Sequence, residues 1–474
     1  MNAPDLSWTA LLPLLVALGT ALTVLLADLW SEGPDRESLG WLGVVGLSVL
    51  GAVSLLLWNR HELTIAGTLA LDRFAVFFDL FFAFSGVFAL LLSMAFFEKQ
   101  VQQVGEFYAL LLFSLFGMLA IAATTDLITI FLSLEILSLA AYVLTGIRRD
   151  DPRATEGALK YFVVGAFATG FLLLGVACLY GATGTTLLAP LAEALRSGTS
   201  RALVLSGVAF LLVGFGFKLA AVPFHLWAPD AYEGAPTPVT AWMAVAVKAA
   251  ALAGLLRVLS TALDPLAADW KPLVAGLAAV TMTVGNFLAL GQTNVKRLLA
   301  YSSIAHAGYL LVGVAALESG GGSALLFHLV AYALMNLGAF AVVVALGERG
   351  EVLAGFEGVG FRYPLLGAAM SLFLLSLAGI PPLAGFAGKF YLFAAAVRAD
   401  YVGLAVLGAL NSVLSMYYYA GVLVRMYMRE GEPEAEIGGP LAVTLWVMGL
   451  GTLLLGVFPA AFHRFAELCF SALG

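Results

Sequence analysis

The sequence predicts an all-α polytopic membrane protein of about fourteen transmembrane helices. Three observations carry this. Of the 474 residues, 62% are hydrophobic and only 11% are charged, against about 25% charged in a soluble domain. The mean hydropathy is +0.99. The apolar residues also fall in runs of about 20 or more, divided by short polar connectors. The formal charge of −7 is spread over connectors and does not suggest nucleic acid. Cys178 and Cys469 lie far apart in apolar segments and offer neither a disulfide framework nor zinc spacing. The five histidines, His61, His225, His306, His328 and His463, form no i,i+4 ligand pair, and there is no GxGxxG or P-loop. Met1 to Trp8 lacks the basic region of a cleaved signal, so the first apolar run reads as a retained span.

In chain order, the first two runs are 8–29 and 39–58. Asn59 to Asp72 alternates polar and apolar residues and predicts a small surface hairpin. An aromatic-rich third run, 74–97, contains Asp79. Runs 106–124 and 127–147 are joined by little more than Thr124, Thr125 and Asp126, and the sixth is 156–182. Leu187 to Arg196 is an amphipathic connector to the seventh, 202–231. The remainder are 238–260, 272–291, 297–317, 323–346, 364–398, 402–428 and 440–462. Lys and Arg in the connectors lean modestly towards the loops after odd-numbered spans, with Arg36, Lys99, Arg148, Arg149, Lys296 and Arg297 among them. That lean favours odd loops in the cytoplasm and both termini outside.

Two runs are too long for one crossing. As straight helices, 202–231 and 364–398 would measure about 45 and about 50 Å. Each holds a breaker: Pro223 in the first, Gly379-Ile380-Pro381-Pro382 in the second. Interrupted helices at comparable places in two halves of a chain point to a transporter with a midplane pathway. The stretch from Gly214 to Ala250 concentrates this signal, with two lysines, a histidine and four prolines in apolar surroundings.

The buried charges follow from the same reading, because an ionised group in hydrocarbon costs at least about 3 kcal/mol. Glu135 stands mid-span with no basic neighbour in sequence, so it either fixes packing in an ion pair or serves ion conduction. Lys218 is its natural partner, and a changing distance between them would load and unload a proton. Lys248 is about ten residues past Pro238, too deep to snorkel, and has no acid on its own helix. Lys389 follows the second break, where it serves either conduction or the freed carbonyls. Lys160 lies four residues after Glu156, which is equally an ordinary i,i+4 pair. His306 has Ser302 and Ser303 one turn back, hydroxyls suited to holding water; His328 reads more readily as a packing residue. His225 reads as serving the break beside Pro223, and Asp79 and Asp126 as local caps or interface groups. Titratable groups at intervals with water between them suit proton transfer, and nothing here suggests a haem, flavin or iron–sulfur site.

The runs FKLAAVPFHLWAPDAYEGAPTPVTA, LSLEILSLAAY and NVKRLLAYSSIAHAGY, with Lys248, resemble the antiporter-like proton-translocating subunits of respiratory complex I, a family shared with multisubunit cation/proton antiporters. The resemblance covers roughly residues 70–430. It implies that Glu135, Lys218, Lys248 and Lys389 form the channel. It also implies two inverted five-helix repeats, spans 4–8 and 9–13, with helices 7 and 12 broken. The corresponding boundaries are 1–104, 105–262, 270–430 and 439–474. Lys389 in GIPPLAGFAGKF, and the chain's end soon after span fourteen, resemble the N-type member rather than the L- or M-type. The implied partners are the other membrane subunits, antiporter-like and small, together with lipid. NADH, FMN, iron–sulfur clusters and quinone are implied for partner subunits and no cofactor or metal for this chain, and the implied location is the bacterial inner membrane. Two other readings stay open: a subunit of a sodium/proton antiporter complex, and a structural anchor whose charges are locked in ion pairs. A stand-alone transporter of organic solutes is disfavoured, because no polar cluster beyond the titratable groups marks a substrate pocket.

Overall fold

The computed structural model describes residues 6–30, 37–97 and 104–473. Met1 to Asp5, Arg36 and Lys99 lie outside the described residues. α1 (Trp8–Asp28) opens at Ser7, whose hydroxyl accepts from the Ala10 N–H, and α2 (Glu37–Leu56) follows. The hairpin is present as β1 (Glu62–Thr64) and β2 (Leu69–Leu71), paired antiparallel with Glu62 opposite Leu71. Its second strand is buried rather than superficial, because Leu69 also pairs with Thr124. Then come α3 (Arg73–Phe97), α4 (Val104–Ala123), α5 (Leu127–Thr145) and α6 (Pro152–Thr183). Asp151, before a proline at the first helical position, caps α6. α7 (Leu188–Ser197) is the predicted amphipathic connector.

The seventh span is broken into α8 (Arg201–Leu219) and α9 (Ala228–Gly234). α10 (Thr237–Trp242) passes through a π-helical turn, Met243–Val247, into α11 (Lys248–Arg257) and a second π turn, Val258–Ala262. α12 (Ala267–Ala289), α13 (Val295–Ala315) and α14 (Gly321–Ala345) follow, then the single turn α15 (Val359–Arg362). The twelfth span is broken into α16 (Pro364–Ala378) and α17 (Ala384–Arg398). The chain ends in α18 (Val402–Met428), α19 (Gly439–Val457) and α20 (Pro459–Phe470). The predicted last span, 440–462, is thus two helices, because Pro459 has no N–H to continue the ladder and starts a new helix instead. Among the described residues, thirteen helices are long and apolar enough to cross a membrane, and α16 is a shorter apolar helix.

Both breaks are built alike. α8 ends at Ala220 with φ 54°, and α16 ends at Gly379 with φ 94°. Cis peptide bonds follow, at Val222–Pro223 and Pro381–Pro382. Backbone groups freed at this depth need protein partners. The Val222 N–H donates to Thr281 Oγ1 on α12 at 3.0 Å, and the Gly385 N–H donates to Ser376 Oγ at 3.0 Å. The starts of two other helices also correspond. Asp126 caps α5 and bridges to Leu187, and Asn294 caps α13 and bridges to Val352.

The helices differ in what surrounds them. The most apolar window of the helix Thr237–Ala262 is 100% buried, that of α13 94% and that of α14 89%, whereas α1 and α19 reach 28%. The helix that carries Lys248 therefore has no lipid-facing side, and a lysine on it has no route by which to snorkel.

Candidate functional site

A row of buried ionisable side chains runs through this enclosed centre. Lys218, Lys248 and Lys389 are 2%, 3% and 3% exposed. Lys218, in the last turn of α8, donates to Ser138 Oγ at 2.6 Å and to Tyr142 OH at 3.3 Å, both on α5. The ammonium also faces the rings of Tyr142, Tyr161 and Phe217. Gly165 on α6 makes room for the Tyr142 phenol, since a Cβ there would overlap it.

The expected partnership with Glu135 takes another form. Glu135, Ser138 and Tyr142 lie on one stripe of α5 at i, i+3 and i+7. The two hydroxyls hold the ammonium, and among the described residues no ion pair joins Lys218 to Glu135. One carboxylate oxygen of Glu135 is buried without a hydrogen-bond partner among the described residues. The helix flank beside it, Leu132, Ile136 and Leu139, is exposed. The acid thus shares a stripe of α5 with the two hydroxyls that hold Lys218, beside an exposed flank of the helix.

Lys248 follows the π turn directly and reaches α13, where it donates to the Ser303 carbonyl at 2.9 Å and to the Ser303 hydroxyl. Tyr232 lies beneath it, 6.0 Å to the ring centroid. Between Lys218 and Lys248 runs an aromatic bridge. Tyr161 stacks on Trp227 at 4.0 Å, and Trp227 meets Tyr232 edge-on at 6.2 Å. The hydroxyls of Tyr161 and Tyr232 are buried without protein partners among the described residues, which is where bound water usually resides.

One turn past Ser303, His306 Nδ1 stands 3.2 Å from Nε2 of His328 on α14, with the rings nearly parallel. His328, read from sequence as packing, is therefore half of a pair. A Cβ at Gly388 would collide with the His328 ring, so that glycine lets α14 and α17 close on it. Lys389, one residue on, donates to the carbonyls of Leu377 and Ala378 at 2.9 and 3.1 Å. It lies 4.7 Å from the Tyr309 ring centroid.

The remaining candidates lie elsewhere. Lys160 is 44% exposed and pairs with Glu156 at 2.6 Å and Asp230 at 2.7 Å. It belongs to a surface cluster in which Arg297 bridges Asp230 and Glu233. His225 sits in the first break, its carbonyl accepting from the Ala228 N–H at 2.9 Å. Asp126 caps α5, as expected, and Asp79 accepts from Ser54.

Sequence reasoning missed two buried ion pairs at helix ends. Lys296 pairs with Glu351 at 3.0 Å and donates to the Ala235 carbonyl at 2.7 Å. Arg257 pairs with Asp72 at 3.0 Å and also donates to the Ala122 carbonyl. Both basic residues stand at the margins of apolar runs and read as loop charges. It also missed a polar cluster of Asn286, Asn411 and Tyr418, where none was expected beyond titratable groups. Among the described residues, no group of three or more His, Cys, Asp or Glu is placed to hold a metal ion.

Residues 124–415 match the family model described as NADH:quinone oxidoreductase/Mrp antiporter, TM. NADH-quinone oxidoreductase subunit N of Trichlorobacter lovleyi is 45% identical over 462 residues, 96% of this chain and 94% of that protein. A chain of respiratory complex I from Thermus thermophilus superposes with a TM-score of 0.81 at 36% identity, covering 95% of this chain and 98% of that one. A chain of the Mrp complex from Dietzia sp. DQ12-45-1b superposes with a TM-score of 0.85 over 98% and 97% of the two chains. At 21% identity this is a likeness of fold.

Proposed function

The chain belongs to the NADH:quinone oxidoreductase/Mrp antiporter membrane-subunit family, and on that premise we propose that its buried row of lysines and imidazoles is the proton path of an N-type subunit of an NADH-quinone oxidoreductase. It is a multi-pass membrane subunit of a respiratory complex, a translocase in which this chain moves protons and partner subunits perform the redox chemistry. NADH, FMN, iron–sulfur clusters and quinone belong to those partners. Its neighbours are the other antiporter-like and small membrane subunits, in the bacterial inner membrane, with both termini outside.

One observation carries the reading. Among the described residues, Lys218, Lys248 and Lys389 have no carboxylate within ion-pair distance; hydroxyls and carbonyls hold them instead. Lys296 and Arg257, by contrast, are paired with acids. A structural anchor needs only the second kind of site. A neutral partner leaves an ammonium free to give up and regain its proton, as a relay requires.

The path follows from the contacts. Charge arriving at the exposed flank of α5 acts on Glu135, and Glu135 biases Lys218 through Ser138 and Tyr142. A proton released by Lys218 crosses beside Tyr161 and Tyr232 to Lys248. Ser303 hands it to the His306–His328 pair, and Lys389 receives it at the second break. Lys160 and His225 support this path from the surface cluster and from the first break. The two halves of the path belong to two inverted five-helix units, 105–262 and 270–430, flanked by 1–104 and 439–474. The matching caps at Asp126 and Asn294 and the matching breaks at Ala220 and Gly379 support that division.

The test is proton pumping in membrane vesicles carrying Lys248→Met, scored against NADH-linked turnover and assembly of the complex. The expected result is assembled complex with pumping lost. Full coupled pumping in an assembled Lys248→Met complex removes Lys248 from the path and returns its site to a packing role.

A further inference from the structure

The polar cluster that the proton path leaves unused stands directly behind Lys389. Tyr309 is 1% exposed, and its ring lies between two members of the row. Its face takes the Lys389 ammonium at 4.7 Å, and it meets the His306 ring edge-on at 5.4 Å. The Tyr309 hydroxyl accepts from Asn286 Nδ2 on α12 at 3.2 Å. Asn286 is fixed in turn: its two Nδ2 hydrogens are shared among the Tyr309 hydroxyl, the Met282 carbonyl at 2.8 Å and Asn411 Oδ1 at 3.2 Å, and its Oδ1 accepts from Tyr418 OH at 2.9 Å. Asn411 Nδ2 donates to Thr283 Oγ1 at 3.2 Å. Two helices, α12 and α18, thus contribute buried polar groups around the phenol that α13 supplies.

We propose that Tyr309 is a positioning residue for proton transfer at Lys389: its ring face holds the ammonium at the second break, opposite the His306–His328 pair, and Asn286, Asn411 and Tyr418 hold the ring. This rests on the reading of Lys389 as a member of the proton path. An aromatic face attracts a cation through its quadrupole and leaves a neutral amine almost unaffected. The ring therefore favours the protonated lysine without adding a carboxylate that would trap the proton. Other groups around Lys389 do not duplicate this. α13 presents His306, α14 presents His328, and α16 presents the carbonyls of Leu377 and Ala378. α18 contributes the phenols of Tyr418 and Tyr419 behind the ring, and α19 carries no titratable side chain. On α17 itself, Tyr391 packs against His463 with ring centroids 4.1 Å apart.

The experiment is the pH profile of NADH-driven pumping per NADH oxidised, in vesicles carrying the whole complex. Tyr309→Leu removes the face, and Lys389→Met removes the cation. The expected result for Tyr309→Leu is an alkaline fall-off about one pH unit earlier than wild type, the size of a desolvated cation–π contact. A Tyr309→Phe background with stepwise ring fluorination keeps the shape while weakening the quadrupole, so it also serves if the leucine variant fails to assemble. There the fall-off is expected to move to lower pH with each fluorine. A profile unchanged across the fluorinated series overturns the assignment of Tyr309 while leaving Lys389 in place. Normal pumping by Lys389→Met overturns the path itself, a result the tyrosine variants alone would not give.

Discussion

Replacing Glu351 by glutamine keeps the shape of the buried pair with Lys296 and deletes one charge. The Lys296 side chain is fully buried and that of Glu351 is 11% exposed, so water screens little of the change. The lysine then faces only neutral acceptors, one of them the Ala235 carbonyl at 2.7 Å. An uncompensated buried charge costs about 3–5 kcal/mol. Lys296→Met with Glu351→Leu removes both charges and is expected to lie within about 1 kcal/mol of wild type, because a well-packed apolar pair replaces a desolvated one. Large membrane assemblies unfold irreversibly, so the assay is the inactivation half-life of purified complex at fixed elevated temperature. The single variant is expected to shorten it at least about tenfold and the double variant to restore most of it. A double variant as short-lived as the single, or a single variant equal to wild type, refutes the reasoning. Lys296 also ties α13 to the link between α9 and α10 at Ala235, so Glu351→Gln is expected to weaken pumping through the Lys248–Ser303 contact.

Three further expectations concern the row and its margin. Ser303→Ala removes a hydroxyl from a charged donor, an interaction worth about 1.5–3 kcal/mol; assembled complex with pumping reduced at least about tenfold is expected in vesicles, and wild-type pumping would leave the carbonyl as the sole holder of Lys248. Tyr142→Phe leaves Lys218 its shorter bond to Ser138 and is expected to cost less than Ser138→Ala, with the double variant worse than either; pumping per NADH ranks the three. At the start of α6, burial raises the Asp151 carboxyl, but the Arg153 N–H and the Arg153 and Arg148 guanidiniums outweigh it and hold the group below its ordinary 3.8. A lowered carboxylate stabilises fully above the unfolded value and loses that effect as pH falls through the lower folded one. The half-life difference between wild type and Asp151→Asn is therefore expected to be constant from pH 5 to 8; a difference that shrinks within that window contradicts the pairing.

The parts of this fold legible in the sequence were those that depend on length and local chemistry. A run too long for the membrane and containing Pro223 or Pro381-Pro382 had to break, and it did. Asp126 and Asn294 sit where short polar side chains cap helices. The ionisable positions were legible because each stands out against hydrocarbon. Their partners were not, since partnership is a distance between helices. Glu135 and Lys218 are complementary in charge, yet the hydroxyls three and seven residues along α5 reach the lysine first. Ser303 was noticed only for His306, because nothing in the sequence shows that Lys248 points at it. Asn286, Tyr309, Asn411 and Tyr418 stand in three different apolar runs. They become a cluster only once α12, α13 and α18 pack together. The His306–His328 contact is illegible for a related reason: the two residues are 22 positions apart and on different helices.

The second break does more than shorten a helix. Lys389 docks on the final carbonyls of α16, Leu377 and Ala378, where the aligned peptide dipoles of a helix amount to about half a negative charge. That countercharge is permanent and has no protonation state of its own. A carboxylate in the same place would be neutralised by the proton it is meant to pass on. A helix terminus cannot be, so its part of the field at Lys389 is the same before and after each transfer and needs no second titration to reset.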